Sequence, residues 1–357
     1  MDTAPELDFS PLKRRIFAGD PAPLPPDLLR RLGVFDSCAE VADPLVYRQF
    51  AVHDVRLHGT WLKVAEGFRR RGIRFLPIKG ADLAWRCYPG WLIRPMIDLD
   101  ILIHPEDFDA ARAILQENDW EIPYRGASSH HEAVMVRHRA PLELHFDLPG
   151  IECREIGALW SEFEATPDGG WRLPEELNLL MLFGHSRGHR WSNGVQLLFD
   201  CAFLLKSGGA PPEWERMAQL AVRFRQHSPE ILFAAFPDLF PPEFRGRGEF
   251  APESLRLLRE LLLTPAFPIT RCHVERVMGS ADRFSWRWWR ARLKGMAPSS
   301  IRRQTGNPRG QYLRLLRGYG TVMARKFREF RRFRRGIADE ALKRRLAAEE
   351  RLEELLK

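Results

Sequence analysis

The sequence predicts an α+β fold: a small mixed β-sheet core with flanking helices, followed by an all-α helical domain and a basic helical tail. Two observations predict it. In residues 45–165 helical and strand-like apolar patterns alternate, whereas after the linker at 167–170 nearly every segment has helical periodicity. With 357 residues, of which 45% are hydrophobic and 29% charged, the chain is long enough for two domains and is not disordered as a whole.

The individual elements follow from local signals. Gly72 ends the first long helical pattern, Lys79-Gly80 separates a short strand from the next helix, and Pro105 begins a later helix. The predicted core elements are helix 47–71, strand 73–78, helix 81–88, strand 96–103, helix 105–118 and a hairpin of strands 132–138 and 141–148. The later predicted helices are 174–190, 195–206, 213–226 and 251–263. The predicted domains are a Pro-rich and helical N-terminal segment (1–44), the core (45–165), the helical domain (166–282) and the basic helical tail (283–357).

The basic excess of the chain is confined to its tail. The formal net charge is +8, but residues 283–357 contain 22 Lys and Arg against 7 Asp and Glu, so the tail carries +15 and the remainder −7. Aromatic residues alternate with arginine at 284–292 and 327–335, and 337–357 has the pattern of a charged helix. Three interpretations of the tail stay open: helices that pack their own aromatic residues, contact with an anionic membrane surface, or contact with nucleic acid.

Several classes of protein do not fit the sequence. It contains no run of 18 apolar residues, and its first residues lack the basic and apolar parts of a secretory signal. We therefore expect a cytoplasmic protein, peripheral at a membrane only through its tail. The cysteines are scattered and never spaced as CxxC, which predicts reduced thiols rather than a disulfide framework or a zinc finger. They are Cys38, Cys87, Cys153, Cys201 and Cys272.

Two acidic residues interrupt a strand that is otherwise apolar. Because side chains alternate along a strand, Asp98 and Asp100 share a face. Two carboxylates so close repel each other unless a cation lies between them, and Mg²⁺ is the cation that prefers carboxylate oxygen. In the later strand Glu143 and His145 also share a face, so Glu143 is the expected third carboxylate of a metal site for phosphoryl transfer. His145 either orients Glu143 or is packed without a catalytic role.

Positive charge is available near these acids. Lys79-Gly80 lies at a turn from strand to helix, where backbone N–H groups favour phosphate, and Arg94 precedes Asp98 by four residues. We therefore expect Lys79, Gly80 and Arg94 to bind the phosphates of a nucleotide.

These residues together resemble a known family. Five short motifs are similar to those of nucleotidyltransferases of the DNA polymerase β-like superfamily. They are Lys79-Gly80, Tyr88, Arg94-Pro95-Met96, Asp98-Leu99-Asp100 and Leu142-Glu143-Leu144-His145. The most similar branch is a poorly characterised bacterial one, and the aminoglycoside and lincosamide nucleotidyltransferases also share the pattern. The resemblance covers about residues 45–210. One departure is that Ala81, rather than serine, follows Gly80.

The resemblance implies a mixed sheet whose acids bind metal and a nucleoside triphosphate such as ATP, and transfer of NMP to an acceptor. It extends to His185, His189 and Asp200, which are similar to a histidine-rich stretch of the family and would lie over the cleft. Two interpretations of these three residues stay open: contact with the substrate, or buried polar contacts between the domains. A zinc site is not indicated, because the HExxH glutamate is missing.

The sequence therefore predicts a nucleotidyltransferase that uses Mg²⁺, with Mn²⁺ as the alternative, held by Asp98, Asp100 and Glu143. Its acceptor would be a hydroxyl or phosphate of a small molecule, sugar or peptide. The alternative is a catalytically idle protein of the same fold whose tail docks on a membrane surface or on nucleic acid.

Overall fold

The computed structural model describes most of residues 8–264 and one helix near the end of the chain. The described residues are 8–20, 22, 24–25, 35–36, 44–89, 92–94, 96, 98–118, 120–124, 131–137, 140–149, 151, 156–166, 170–191, 194–246, 248–264 and 340–356. The chain divides into two compact units, Met1–Thr264 with Leu355–Lys357, and Pro265–Glu354. The predicted core and helical domain up to Thr264 both belong to the first unit, and the boundary between them at 165/166 stays a prediction. The aromatic and arginine segments of the tail lie outside the described residues.

The predicted helices and strands occur in the predicted order, and the structure adds short elements between them, among them β5 of the main sheet. The described α-helices are α1 (Ser10–Phe17), α2 (Pro44–Arg70), α3 (Lys79–Arg86), α4 (Phe108–Glu117), α5 (Ile156–Leu159), α6 (Glu175–Gly188), α7 (Gly194–Gly208), α8 (Trp214–Arg223), α9 (Glu230–Ala235), α10 (Pro252–Leu263) and α11 (Glu340–Leu355). The strands are β1 (Phe35–Asp36), β2 (Phe75–Pro77), β3 (Leu92–Ile93), β4 (Leu99–Ile103), β5 (Glu121–Tyr124), β6 (His131–Arg137), β7 (Ala140–His145), β8 (Glu164–Ala165) and β9 (Trp171–Arg172). The α+β class is confirmed.

The main sheet is small and mixed. Its five strands lie in the order β2-β4-β7-β6-β5, and β4 and β7 are parallel while the other pairs are antiparallel. The predicted hairpin is the antiparallel pair β6–β7. Parallel pairing of β4 with β7 requires a long connection, and α4, β5 and β6 provide it.

One face of the sheet forms the apolar core with α2 and α4. The alternate residues Leu99, Ile101 and Ile103 of β4 are fully buried against these helices, as are Leu142 and Leu144 of β7. Because side chains alternate, the residues between them turn to the opposite face. The acids of β4 and β7 therefore lie on the side away from α2 and α4.

Two strand ends differ from the predicted ones. The strand predicted at 96–103 begins at Leu99, because its partners pair only with residues 99–103, so Asp98 lies just before β4. The strand predicted at 141–148 ends at His145, and Asp147 lies beyond it, where its Oδ1 accepts the backbone N–H of Leu148. Among the described residues, no helix is both long and apolar enough to cross a membrane.

The helical segment after the sheet is stabilised by apolar side chains that are buried on several faces of its helices. In α6 and α7 most side chains are buried, including Phe183 and Phe199. Gly194, the first residue of α7, lies against the backbone of α10, and a Cβ placed on it would meet Leu262 O at 2.3 Å and Leu262 Cα at 2.5 Å. Only glycine fits at this approach of α7 to α10.

We expect Gly194→Ala to lower the free energy of unfolding by about 2 kcal/mol, because both obstructing atoms are backbone atoms that a rotamer change cannot move. The matched control is Gly188→Ala in α6, where a Cβ would meet nothing within 4 Å. That change should be neutral or stabilising by about 0.5 kcal/mol. Urea unfolding of both variants is the measurement, and equal midpoints would contradict the prediction.

Candidate active site

The acids of β4 and β7 meet because the two strands are parallel and in register. Asp100 pairs with Glu143 across the ladder, and His145 follows Glu143 on the same face of β7. One ligand atom from each of these three side chains lies within 4.8 Å of the other two. Asp100 and His145 are buried and Glu143 is half-buried. The three side chains therefore form a compact polar group that could hold a metal ion.

Asp100 is the most strongly stabilised carboxylate of this group. Its Oδ1 lies 2.7 Å from Lys79 Nζ and 2.7 Å from His145 Nε2. Since a carboxylate only accepts hydrogen bonds, Nε2 of His145 carries the proton. Burial alone would raise the pKa of Asp100, but the Lys79 ammonium and the His145 hydrogen bond outweigh it and hold that pKa well below its usual range.

The carboxyl groups of Asp98 and Glu143 have pKa values above their usual range. Burial, followed by the negative charges of Asp100 and Glu143, raises the pKa of Asp98 to about 6. Burial and the charge of Asp100 also raise the pKa of Glu143. The positive charge of Lys79 opposes both shifts, and that of Arg94 opposes the shift of Asp98. Asp98 thus lies close enough to interact electrostatically with the group formed by Asp100, Glu143 and His145.

Lys79 reaches Asp100 from the first position of α3. Its φ of +52° is in the left-handed region, which is uncommon for a residue with a side chain. The backbone N–H of Ile78 donates to the carbonyl of Asp100 at 3.1 Å, so the start of α3 is tied to β4. Ile78, the residue before the helix, provides no side-chain cap. Its first N–H groups are therefore available to an anion.

The position of the Arg94 guanidinium leaves no room for a side chain at residue 80, which is why this residue is glycine. A Cβ on Gly80 would lie 2.3 Å from Arg94 Nη1 and 3.1 Å from Met96 Cγ. The glycine of the Lys79-Gly80 phrase therefore lets Arg94 pack directly on the start of α3.

The edge of the Arg94 guanidinium that is formed by Nε and Nη2 is bound by the helical segment. Its Nε and Nη2 donate to the two carboxylate oxygens of Asp200, each at 2.7 Å. The Tyr88 hydroxyl donates to Asp200 Oδ1 at 2.7 Å, and Gln196 Nε2 donates to Tyr88 Oη at 2.7 Å and to Asp200 Oδ1 at 3.0 Å. We call Tyr88, Arg94, Gln196 and Asp200 the Asp200 cluster.

The two histidines at the end of α6 lie over the acidic face. Their rings are in contact, with centroids 4.3 Å apart, and His189 is the more exposed. Burial, followed by the positive charge of Lys79, holds the pKa of His185 well below its usual range. His185 is therefore neutral at pH 7. Asp100 opposes this shift and His145 adds to it, so His185 lies near the acids.

The structure thus brings together most of the side chains that the sequence singles out. Five of them lie close enough to one another to form ion pairs, hydrogen bonds or electrostatic interactions, and His185 lies near them. They are Lys79, Asp98, Asp100, Glu143 and His145. Asp200 instead binds Arg94, and Gln196 has no counterpart among the predicted site residues. Its spacing of four residues from Asp200 on a helix is the only sequence signal for Gln196.

Comparison with known families agrees with this geometry. Residues 28–238, more than half of the chain, match the model of a family described as uncharacterised nucleotidyltransferase. The chain belongs to this nucleotidyltransferase family. The match covers both the sheet with its acids and the helices with His185 and Asp200. No curated protein and no solved structure matches the chain.

The raised pKa of Asp98 predicts a pH-dependent stability for the metal-free protein. In the unfolded chain this carboxyl ionises near its ordinary pKa of 3.8, whereas the folded protein keeps the proton to about pH 6. The folded state therefore loses stability as the pH rises from about 4 to about 6. Asp98→Asn removes this cost, so we expect it to raise the free energy of unfolding at pH 8 by about 1–3 kcal/mol.

Urea unfolding in EDTA at about pH 4 and at pH 8 measures this difference, and the gain should be small at the lower pH. Asp109→Asn is the control, since the side chain of Asp109 on α4 is 89% exposed. If Asp98→Asn destabilises the metal-free protein at pH 8, the prediction is wrong.

Proposed function

We propose that the protein is a metal-dependent nucleotidyltransferase that transfers NMP from a nucleoside triphosphate to a hydroxyl or phosphate acceptor. The observation that carries the proposal is the meeting of Asp100 of β4 with Glu143 of β7 beside Lys79. Asp98, just before β4, is close enough to interact electrostatically with both carboxylates. Membership in a nucleotidyltransferase family supports the same reaction class. In this reaction an acceptor oxygen forms a bond to the α-phosphorus while the bond from that phosphorus to pyrophosphate breaks.

The donor atoms of the site fit a divalent cation. Asp98, Asp100 and Glu143 carry three negative charges when ionised, and Lys79 supplies one positive charge, so one divalent cation would neutralise the group. Carboxylate oxygens favour Mg²⁺, and an imidazole beside them makes Mn²⁺ the alternative. When bound, such a cation neutralises phosphate charge and makes the attacking oxygen more acidic. These three acids, with His145 orienting Asp100, would hold it.

The phosphates have a binding surface at the start of α3. Ile78 provides no side-chain cap for the helix, Gly80 lets the Arg94 guanidinium approach its first turn, and Lys79 Nζ is directed toward the acids. Arg94 places its Nη1 against this turn, and no described residue accepts a hydrogen bond from that nitrogen. A triphosphate would accept these donors. Lys79, Gly80 and Arg94 would thus position the triphosphate.

Glu143 and the histidines would act on the acceptor. Glu143 is half-buried and its pKa is raised, so it is suited to take the proton of an acceptor hydroxyl. His185 is neutral and His189 is exposed beside it, which supports a role for these two imidazoles in contacting the acceptor. A small molecule, a sugar or a peptide would fit this chemistry. A membrane surface or nucleic acid as partner of residues 283–357, and a cytoplasmic location, stay predictions.

The proposal is tested with each of the four common NTPs, Mg²⁺ or Mn²⁺ and a panel of hydroxyl acceptors, with pyrophosphate release as the measurement. We expect Asp100→Asn to lower the rate at least about 100-fold, because the oxygens that would hold the cation lose their charge. Asp109→Asn on α4 is the matched control and should leave the rate unchanged. Titration with Mn²⁺, followed by electron paramagnetic resonance, reports loss of the metal, and far-ultraviolet circular dichroism of the same variant reports whether the fold is retained.

The outcomes separate the two functional hypotheses. Absence of both Mn²⁺ binding and NTP binding by the wild-type protein would contradict the proposed reaction. Binding of both without pyrophosphate release under any acceptor would favour the catalytically idle protein with the same site.

A further inference from the structure

We infer that the Asp200 cluster is a positioning device through which α7 fixes the free edge of Arg94 at the phosphate-binding surface. The inference rests on the proposed function, since it concerns how that surface is built. According to this inference, Asp200, Tyr88 and Gln196 do not touch the nucleotide. They act through Arg94.

The geometry of the cluster divides the guanidinium into two edges. The edge formed by Nε and Nη2 is fully used by the carboxylate of Asp200, in the bidentate arrangement that best restricts an arginine. The remaining nitrogen, Nη1, lies against Gly80 at the start of α3. An arginine held in this way presents Nη1 in one direction only.

Burial makes the arrangement stiff and makes each member necessary. The side chains of Arg94 and Asp200 are 11% and 4% exposed. Asp200 Oδ1 accepts from Tyr88 and Gln196 as well as from Arg94, so the carboxylate itself cannot rotate without losing hydrogen bonds. The ring of Tyr88 packs on Phe203 of α7, with centroids 4.5 Å apart. The cluster therefore joins the segment that leads into β4 to a single helix of the helical segment.

The chain contains a second ion pair of the same kind that serves as a control. Arg86 donates through Nε and Nη2 to both oxygens of Asp82, at 2.8 and 2.7 Å, and Asn178 of α6 donates to Asp82 at 2.9 Å. Asp82 is buried, as Asp200 is. This pair also links α3 to the helical segment. Asp82 lies in the first turn of α3, as Gly80 does, but its carboxylate is bound by Arg86 at the last position of the helix and by Asn178, and not by Arg94.

The experiment compares Asp200→Asn with Asp82→Asn in the full chain, using inorganic tripolyphosphate as a probe that does not depend on the base. We expect Asp200→Asn to weaken tripolyphosphate binding about tenfold or more, because Arg94 loses its charged partner and its orientation. Asp82→Asn should weaken it less than about twofold. Both changes should lower the melting temperature, and Mn²⁺ affinity should stay within about threefold of wild type in both.

Tyr88→Phe keeps the ring and the Arg94–Asp200 pair and removes the two hydrogen bonds of the Tyr88 hydroxyl, one to Asp200 and one from Gln196. It therefore tests the cluster if Asp200→Asn fails to fold. We expect it to weaken tripolyphosphate binding about threefold, with Mn²⁺ affinity unchanged.

Three results would overturn the inference: an equal loss in Asp200→Asn and Asp82→Asn, no loss in Asp200→Asn, or no tripolyphosphate binding by the wild type. The first would leave Asp200 a purely structural residue. If instead the wild type binds tripolyphosphate but no Mn²⁺, the proposed reaction fails, while the difference between the two variants still decides the role of Asp200.

Discussion

The buried negative charge of Asp100 is the constraint on which the rest of the site depends. A carboxylate in the middle of a sheet strand loses the solvation of water, and this cost must be met by cations or hydrogen bonds. Lys79 and His145 both approach the same oxygen, Oδ1, at 2.7 Å. The left-handed backbone of Lys79 and the parallel register of β4 and β7 are the structural means by which these two partners reach it.

A second buried ion pair connects this site to the helical segment. Arg94 and Asp200 are 106 residues apart in the sequence, on either side of the acids, yet the two side chains form a bidentate pair. Gly80 lies under the same guanidinium. The start of α3, the entry to β4 and the middle of α7 therefore meet at one arginine. Because each ionic partner is buried, removal of one leaves an uncompensated charge, and the three segments depend on each other.

Much of the fold follows from the sequence because its signals are local. Gly72 and the pair Pro89-Gly90 predict the ends of α2 and α3 to within a few residues. The alternation of side chains in β4 and β7 predicts which face of the sheet carries Asp100 and Glu143. The short helix α9 was not predicted as a separate element, since six residues give too little periodicity. The strand ends at Leu99 and His145 depend on where partner strands stop, which no local pattern records.

The sequence by itself determined the kind of chemistry: acids on a buried strand, a third acid on a later strand, and basic residues beside a strand-to-helix turn. Periodicity and residue type are enough for that, because both act within a few residues. Only the tertiary structure decided the partners. Arg94 binds Asp200, and His145 hydrogen-bonds Asp100, because folding brings segments that are distant in sequence within hydrogen-bond distance. The same long-range packing decides which glycine has no room for a side chain.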